Sequence, residues 1–366
     1  MKTLILFFGL SVFLLSSELF AYPSMIQYGY PQCSACHYSP QGGGLLSPYG
    51  IGIADAQSLF PLNYDTPKNE FYRVTTLGHH MISGLRLRGM FLSTSAGTSV
   101  FPMQTDYLNS IQPIKQLRLD TAVGYVPHRA RDKNKSNKFF RQFVIRKAML
   151  SYRAIKGLEF SAGRDFLPIG INLDNHSVYV RERNRRNVTD FNTEFRVDYW
   201  TNRFEITPFG YLPSYQESKD NQEKGAGLRL EYFPTDYVSM GASGLLGYAK
   251  KVNRQLADVF FRFGNKHGGA QLEYDFTYRE NKPYGKWFAQ QAAYVEPFYT
   301  PVEWLKISAI GEYLKVADPY TEEAYRGSAS IYFRTTYFAD LIAEARYEHK
   351  QHDDGWTFFV QLFGHV

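Results

Sequence analysis

Two cysteines in 366 residues leave little thiol chemistry to choose from, and they stand together as Cys33 and Cys36. A structural zinc site needs four ligands. No second cysteine pair or H-x(3–5)-H partner follows, so zinc would lack half its donors. A C-x-x-C thiol switch would need βαβ surroundings that are missing. Apart from Leu4 to Leu15, no apolar run comes near the ~20 residues of a transmembrane helix. Helical periodicity is scarce beyond the turns around Ala54 to Leu59. Walker, dinucleotide-binding, G-x-S-x-G and H-E-x-x-H motifs are all missing. A nucleotide-dependent or hydrolytic enzyme therefore has no support.

What is there begins at the cysteines. Cys33-Ser34-Ala35-Cys36-His37 has the C-x-x-C-H spacing through which c-type haem is attached. Two thiols three positions apart can each close a thioether to a haem vinyl group. His37 then stands against one face of the iron as its axial ligand. Upstream, Lys2, the apolar stretch Leu4 to Leu15 and Leu19-Phe20-Ala21 read as a cleaved signal peptide, residues 1–21. Export and haem attachment belong to one bacterial compartment, so the two signals agree.

The remaining chain is rich in aromatics, with 28 tyrosines and 29 phenylalanines. Period-two alternation is widespread. Leu85, Leu87 and Phe91 share one face and Arg86 and Arg88 the other. In Gln271 to Tyr278 the even positions are apolar and the odd ones polar. From Trp356 to Leu362 one face is apolar and the opposite one mixed. Weak hydrophobicity per segment, polar alternate positions and abundant aromatics predict an all-β transmembrane antiparallel barrel. The alternative is a soluble sandwich, which at this strand number would be very large. About sixteen strand-like segments run from 81–93 to 356–366. Short turns at Gln112-Pro113, Lys156-Gly157, Thr201-Asn202, Pro234-Thr235-Asp236, Asn265-Lys266, Thr300-Pro301 and Ala339 alternate with longer connections. The long ones are Pro127 to Phe140, Phe166 to Asn192, Pro213 to Lys224 and Asp318 to Glu323. That is the outer-membrane pattern of short periplasmic turns and long external loops.

Residues 22–70 do not read as wall. Pro23, Pro31, Pro40, Pro48, Pro61, Pro67 and Gly42-Gly43-Gly44 describe a compact, loop-rich haem-binding segment. It is too small to bury a haem alone, which predicts a plug inside a barrel made by residues 71–366. A cytochrome hanging free in the periplasm is the alternative.

This order, C-x-x-C-H in a short Gly/Pro-rich segment and then some sixteen alternating strands, resembles the fused monohaem cytochrome–porins of bacterial outer membranes, including the iron-oxidiser type. The sequence likeness runs from Tyr30 to Gly50; where the iron-oxidising branch has Pro, Leu-Thr and Phe-Gly, this chain has Pro40, Leu46-Ser47 and Tyr49-Gly50. The resemblance implies one covalent haem c on Cys33 and Cys36, with His37 on the iron. It also implies an electron conduit between an extracellular donor or acceptor and a periplasmic carrier such as a soluble cytochrome c, with outer-membrane lipids around the barrel. A solute porin with a structural or sensory haem, and a haem peroxidase, are the competing readings.

For the second axial position the candidates are His79, His80, His128, His176, Met25 and Met81, with His176 put first because its long connection could fold into the lumen. Arg181, Arg183, Arg185 and Arg186 form a basic run there, and Arg129, Arg131, Lys133, Lys135 and Lys138 form another. At net charge +6 nucleic acid must be considered. Outer-leaflet phosphates, an anion-attracting vestibule or haem propionates are the expected partners.

Overall fold

The computed structural model describes residues 23–61, 75–76, 80–125, 143–173, 175–186, 190–213, 222–282, 285–317, 321–350 and 353–365. A two-residue strand, β1 (Thr75–Thr76), pairs with the start of β2 (Met81–Thr94). From β2 to β17 (Asp353–His365) each strand pairs antiparallel with the next, and β17 closes on β2 with Gln361 opposite Met90. The wall is a closed barrel of sixteen strands, as the alternation predicts. Closure leaves no unpaired edge, which a lipid surround requires.

Alternation sorts the side chains. In β12 (Gly268–Asn281), Gln271, Glu273, Asp275 and Thr277 are 2, 2, 1 and 0% exposed, whereas Leu272, Tyr274 and Phe276 are 39, 40 and 40% exposed. A soluble sandwich would have the opposite arrangement. Trp356, Phe358, Val360 and Leu362 likewise face outward, and Phe359, Gln361 and Phe363 face the lumen. The apolar residues meet lipid and the polar ones pair inside.

Two turns fall later than the sequence suggests. Strand β3 (Gly97–Ile114) runs past Gln112-Pro113, and β13 (Lys286–Val302) past Thr300-Pro301. In both, the ladder shifts register at the proline, between Ile111 and Ile114 and between Tyr299 and Val302. A bulge is where a strand tolerates a missing N–H. The first strand of the closed wall starts at Met81, where the strand-like segments of the sequence begin.

Residues 23–61 lie in the lumen at the short-turn end. A 3-10 helix, Pro23–Tyr28, packs on β12 and on β11 (Val252–Asn265), with its Ile26 and Gln27 backbone against Gly264. Helix α1 (Pro48–Ala56) starts with Pro48 after an N-cap, Ser47, whose hydroxyl accepts from the Gly50 N–H at 3.2 Å. Between them, Gly42, Gly43 and Gly44 take φ of 73°, 67° and 70°. Three successive left-handed residues are open only to glycine at low cost. The reversal brings Leu46 back beside His37.

A second segment enters from the opposite end. Residues 166–191 join β6 (Leu158–Asp165) to β7 (Asn192–Trp200), and the described part folds inward, with one turn of helix, α2 (Tyr179–Glu182). Ile171, Leu173, Val178, Tyr179 and Val180 cluster with Phe260, Tyr294, Ile310 and Leu314 of the wall. Wall carboxylates receive its backbone: Ile171 N–H donates to Glu273 at 2.7 Å and Tyr179 N–H to Glu312 at 2.6 Å. Gly170 (φ 58°) lies so close to the Glu273 carboxylate that a Cβ would overlap it.

Candidate functional site

The C-x-x-C-H sequence forms one tight turn. Cys36 N–H and His37 N–H both donate to the Cys33 carbonyl, at 3.2 and 2.9 Å. The turn holds the two cysteine backbones close together, which double thioether attachment needs. Neither cysteine is in a disulfide. Burial pushes both thiols up to about 11, so at neutral pH they are protonated. Cys36 packs with Leu46, Ala54 and Tyr337. A porphyrin edge on that sulfur would replace apolar contacts with apolar contacts. His37 is buried beside it.

Cys33 lines a partly open cavity of about 180 Å³ between the plug and the inward segment. His176 borders the same cavity, so the structure brings one predicted cysteine and the predicted distal histidine to one space. Cys36 and His37 are not among the described residues lining it. Arg88 Nη1 lies 3.3 Å from His176 Nδ1. A guanidinium only donates, so Nδ1 accepts and the proton of the neutral ring sits on Nε2. Iron ligation by His176 requires this Arg88 contact to be given up.

The other distal candidates are spread out. Met25 is buried in the plug, Met81 starts β2, and exposed His80 has its Nδ1 3.1 Å from the Gln112 carbonyl. His79 and His128 lie outside the described residues, as does the run from Arg129 to Lys138. Among the described residues no three His, Cys, Asp or Glu side chains are grouped to hold a metal ion.

The arginine run from 181 to 186 has a different role from the one its charge suggests. Arg181 donates to the carbonyls of Leu173 and Arg186. Arg186 pairs with Glu273, Arg183 with Glu322 at 2.7 Å and Arg185 with Glu223 at 3.7 Å. Because the segment turns into the lumen, Arg183, Arg185 and Arg186 meet wall carboxylates, and Arg181 ties the segment to itself. They fasten the segment instead of facing outer-leaflet phosphates.

Polar contacts tie the plug to the wall. The Gln41 side-chain amide lies 2.8 Å from Asp198, 2.9 Å from Glu205 and 3.2 Å from Thr207. Gln32 Nε2 donates to the Thr201 carbonyl at 2.5 Å, and Arg334 to Gln57 at 2.7 Å. Asn172 of the inward segment donates to the Gln41 carbonyl at 3.2 Å. Sequence reasoning placed a plug in the lumen but missed Gln41. The one signal was a lone amide before a glycine triplet.

No protein-family model and no curated protein matches the chain. Solved structures do match. OmpT of Vibrio cholerae with loop L8 deleted aligns at TM-score 0.63 and 12% identity, over 78% of this chain and 99% of that one. An anion-selective porin from Comamonas acidovorans aligns at TM-score 0.59 and 8% identity, over 78% of this chain and 99% of that one. The outer-membrane channel DcaP of Acinetobacter baumannii aligns at 0.54 and 10% identity, over 77% and 96%. The chain has the fold of an outer-membrane porin, and with its apolar belt the barrel is a membrane-spanning one of that type.

Proposed function

We propose that the protein is an outer-membrane monohaem cytochrome–porin that passes electrons between an extracellular donor or acceptor and a periplasmic carrier. The observation that carries this reading is the position of the C-x-x-C-H turn, in a plug at the short-turn mouth of a closed barrel. Cys33 and Cys36 would hold haem c through thioethers and His37 would be its axial ligand. Bound there, the haem supplies reversible one-electron chemistry that side chains do not offer. The chain contributes the rest. The α1 cluster shields the turn from water, the barrel insulates it from lipid, and the plug leaves Tyr49 and Phe60 exposed for a periplasmic partner.

The porin fold favours a second reading, a solute channel in which the haem is structural. The filled lumen speaks against a permanently open pore. Reconstitution into liposomes that enclose a redox dye separates the two. The conduit reading expects an impermeant external reductant to reduce the haem and then the dye, with little solute leakage. It also expects haem that survives denaturation and acidic organic extraction. Conductance without electron transfer would leave the porin, and extractable haem would end the attachment claim.

A further inference from the structure

The wall around the plug does not depend on the plug for its charge pairing. Asp198 and Glu205, which clasp Gln41, keep other partners. Arg196 donates to Asp198 at 3.1 Å, Thr207 to Asp198 at 3.0 Å, and Arg229 to Glu205 at 2.9 Å. Arg229 and Arg262 both pair with Glu231, and Arg196 pairs with Glu194 at 2.8 Å. Withdrawing the plug would therefore leave a polar, internally paired channel of the kind that water fills. Arg262 would lose the Pro31 carbonyl but keep Glu231, and Arg334 would lose Gln57 but keep Asp340 at 4.0 Å, so each keeps a carboxylate beside it.

Apolar contact between plug and wall falls in three separate patches. Tyr337 and Phe338 pack against Cys36, Leu46, Ala54 and Ile51, Leu108, Ala122 and Ile82 lie beside Leu45 and Tyr38, and the 3-10 helix Pro23–Tyr28, with buried Met25 and Ile26, packs on β11 and β12. The remaining ties are hydrogen bonds that water can replace, each modest in net worth. Apart from the Asn172 bond to the Gln41 carbonyl, the inward segment has its own anchors, in Glu273, Glu312 and the cluster around Tyr179. It stays in place when the plug leaves.

From this separability we infer a further activity: the plug is a displaceable stopper latched by Gln41 between Asp198 and Glu205, and its release opens the barrel to small water-soluble solutes. The latch suits the purpose. An amide donates to both carboxylates without adding charge, so it holds the plug in a site that either a cation or an anion would alter. A carboxylate at position 41 would face two others at hydrogen-bond distance.

The test is single-channel recording on full-length protein in planar bilayers. Wild type should be closed most of the time, with rare openings of porin size. Gln41→Glu should raise the open fraction about tenfold or more. Gln32→Ala, which cuts the separate bond to Thr201, should raise it in the same direction by a smaller factor. Heat-modifiable migration and haem content report whether each barrel and plug is intact. An intact Gln41→Glu barrel with the wild-type open fraction would overturn the latch. Openings of equal size and frequency in wild type and both variants would mean a constitutive pore. Neither result depends on whether the haem passes electrons.

Discussion

Gly50 lies directly against Cys36: a Cβ on Gly50 would overlap the Cys36 carbonyl oxygen and touch the Cys36 Cβ at 3.0 Å. The obstacle is backbone, which cannot swing aside as the tip of a side chain can. Helix α1 therefore sits where it does only because position 50 has no side chain. Gly50→Ala should lift α1 from the C-x-x-C-H turn at a cost of about 1–3 kcal/mol. Protease protection of residues 23–61 should fall while heat-modifiable migration of the barrel stays unchanged. A protected plug in the variant would count against this packing.

The two faces of β12 should respond oppositely to charge. Leu272→Arg places a guanidinium on the lipid face, with an expected cost of about 2–4 kcal/mol near mid-membrane. The arginines already present, such as Arg254 and Arg262, face inward and are paired, so the barrel carries charge without that penalty. Urea unfolding of barrels refolded into vesicles measures the difference. An unchanged midpoint for Leu272→Arg would argue against lipid at that position.

Much of this was legible in the sequence because a barrel wall has period two. Leu272, Tyr274 and Phe276 declare one face and Glu273 and Asp275 the other without reference to any neighbour. The plug was legible for a different reason, since prolines as closely spaced as these, with a glycine triplet among them, do not make wall strands. What alternation could not give is partnership across the lumen. Arg186 reads as surface charge until Glu273, 87 positions on, is known to face it. Gln41 looks like any loop amide until Asp198 and Glu205 close around it. Prolines 113 and 301 suggested turns because the bulges that accommodate them depend on the neighbouring strand.

Glu273 should be the residue on which the inward segment most depends. Its carboxylate takes the Ile171 N–H and pairs with Arg186, and both partners are buried. Glu273→Ala leaves a buried N–H without its acceptor and Arg186 with only Asp275, at 3.9 Å, and the Ile171 carbonyl, a loss of about 2–4 kcal/mol. Proteolysis within 166–191 should accelerate sharply in this variant, and Glu273→Gln, which keeps an acceptor, should fall between the two. Equal protection of all three proteins would show that the segment is held by its apolar cluster alone.

The inward segment should also loosen in mild acid, through His176. Burial first, and then the guanidinium groups of Arg88, Arg181, Arg346 and Arg146, push this imidazole down to about 3. In a released segment it would titrate near 6.5. Between those values the released form binds a proton that the docked form refuses, so docking is favoured by rising pH. The stabilisation is complete above about pH 6.5 and erodes by about 1.4 kcal/mol for each unit below it, down to about pH 3. His176→Gln removes the titrating group while keeping a polar side chain near Arg88. Proteolysis within 166–191 should accelerate about fivefold more in wild type than in His176→Gln when pH drops from 6.5 to 5.5. Carboxylates elsewhere in the lumen respond alike in both proteins and cancel in the comparison. Identical pH slopes would assign the acid response to those carboxylates and not to His176.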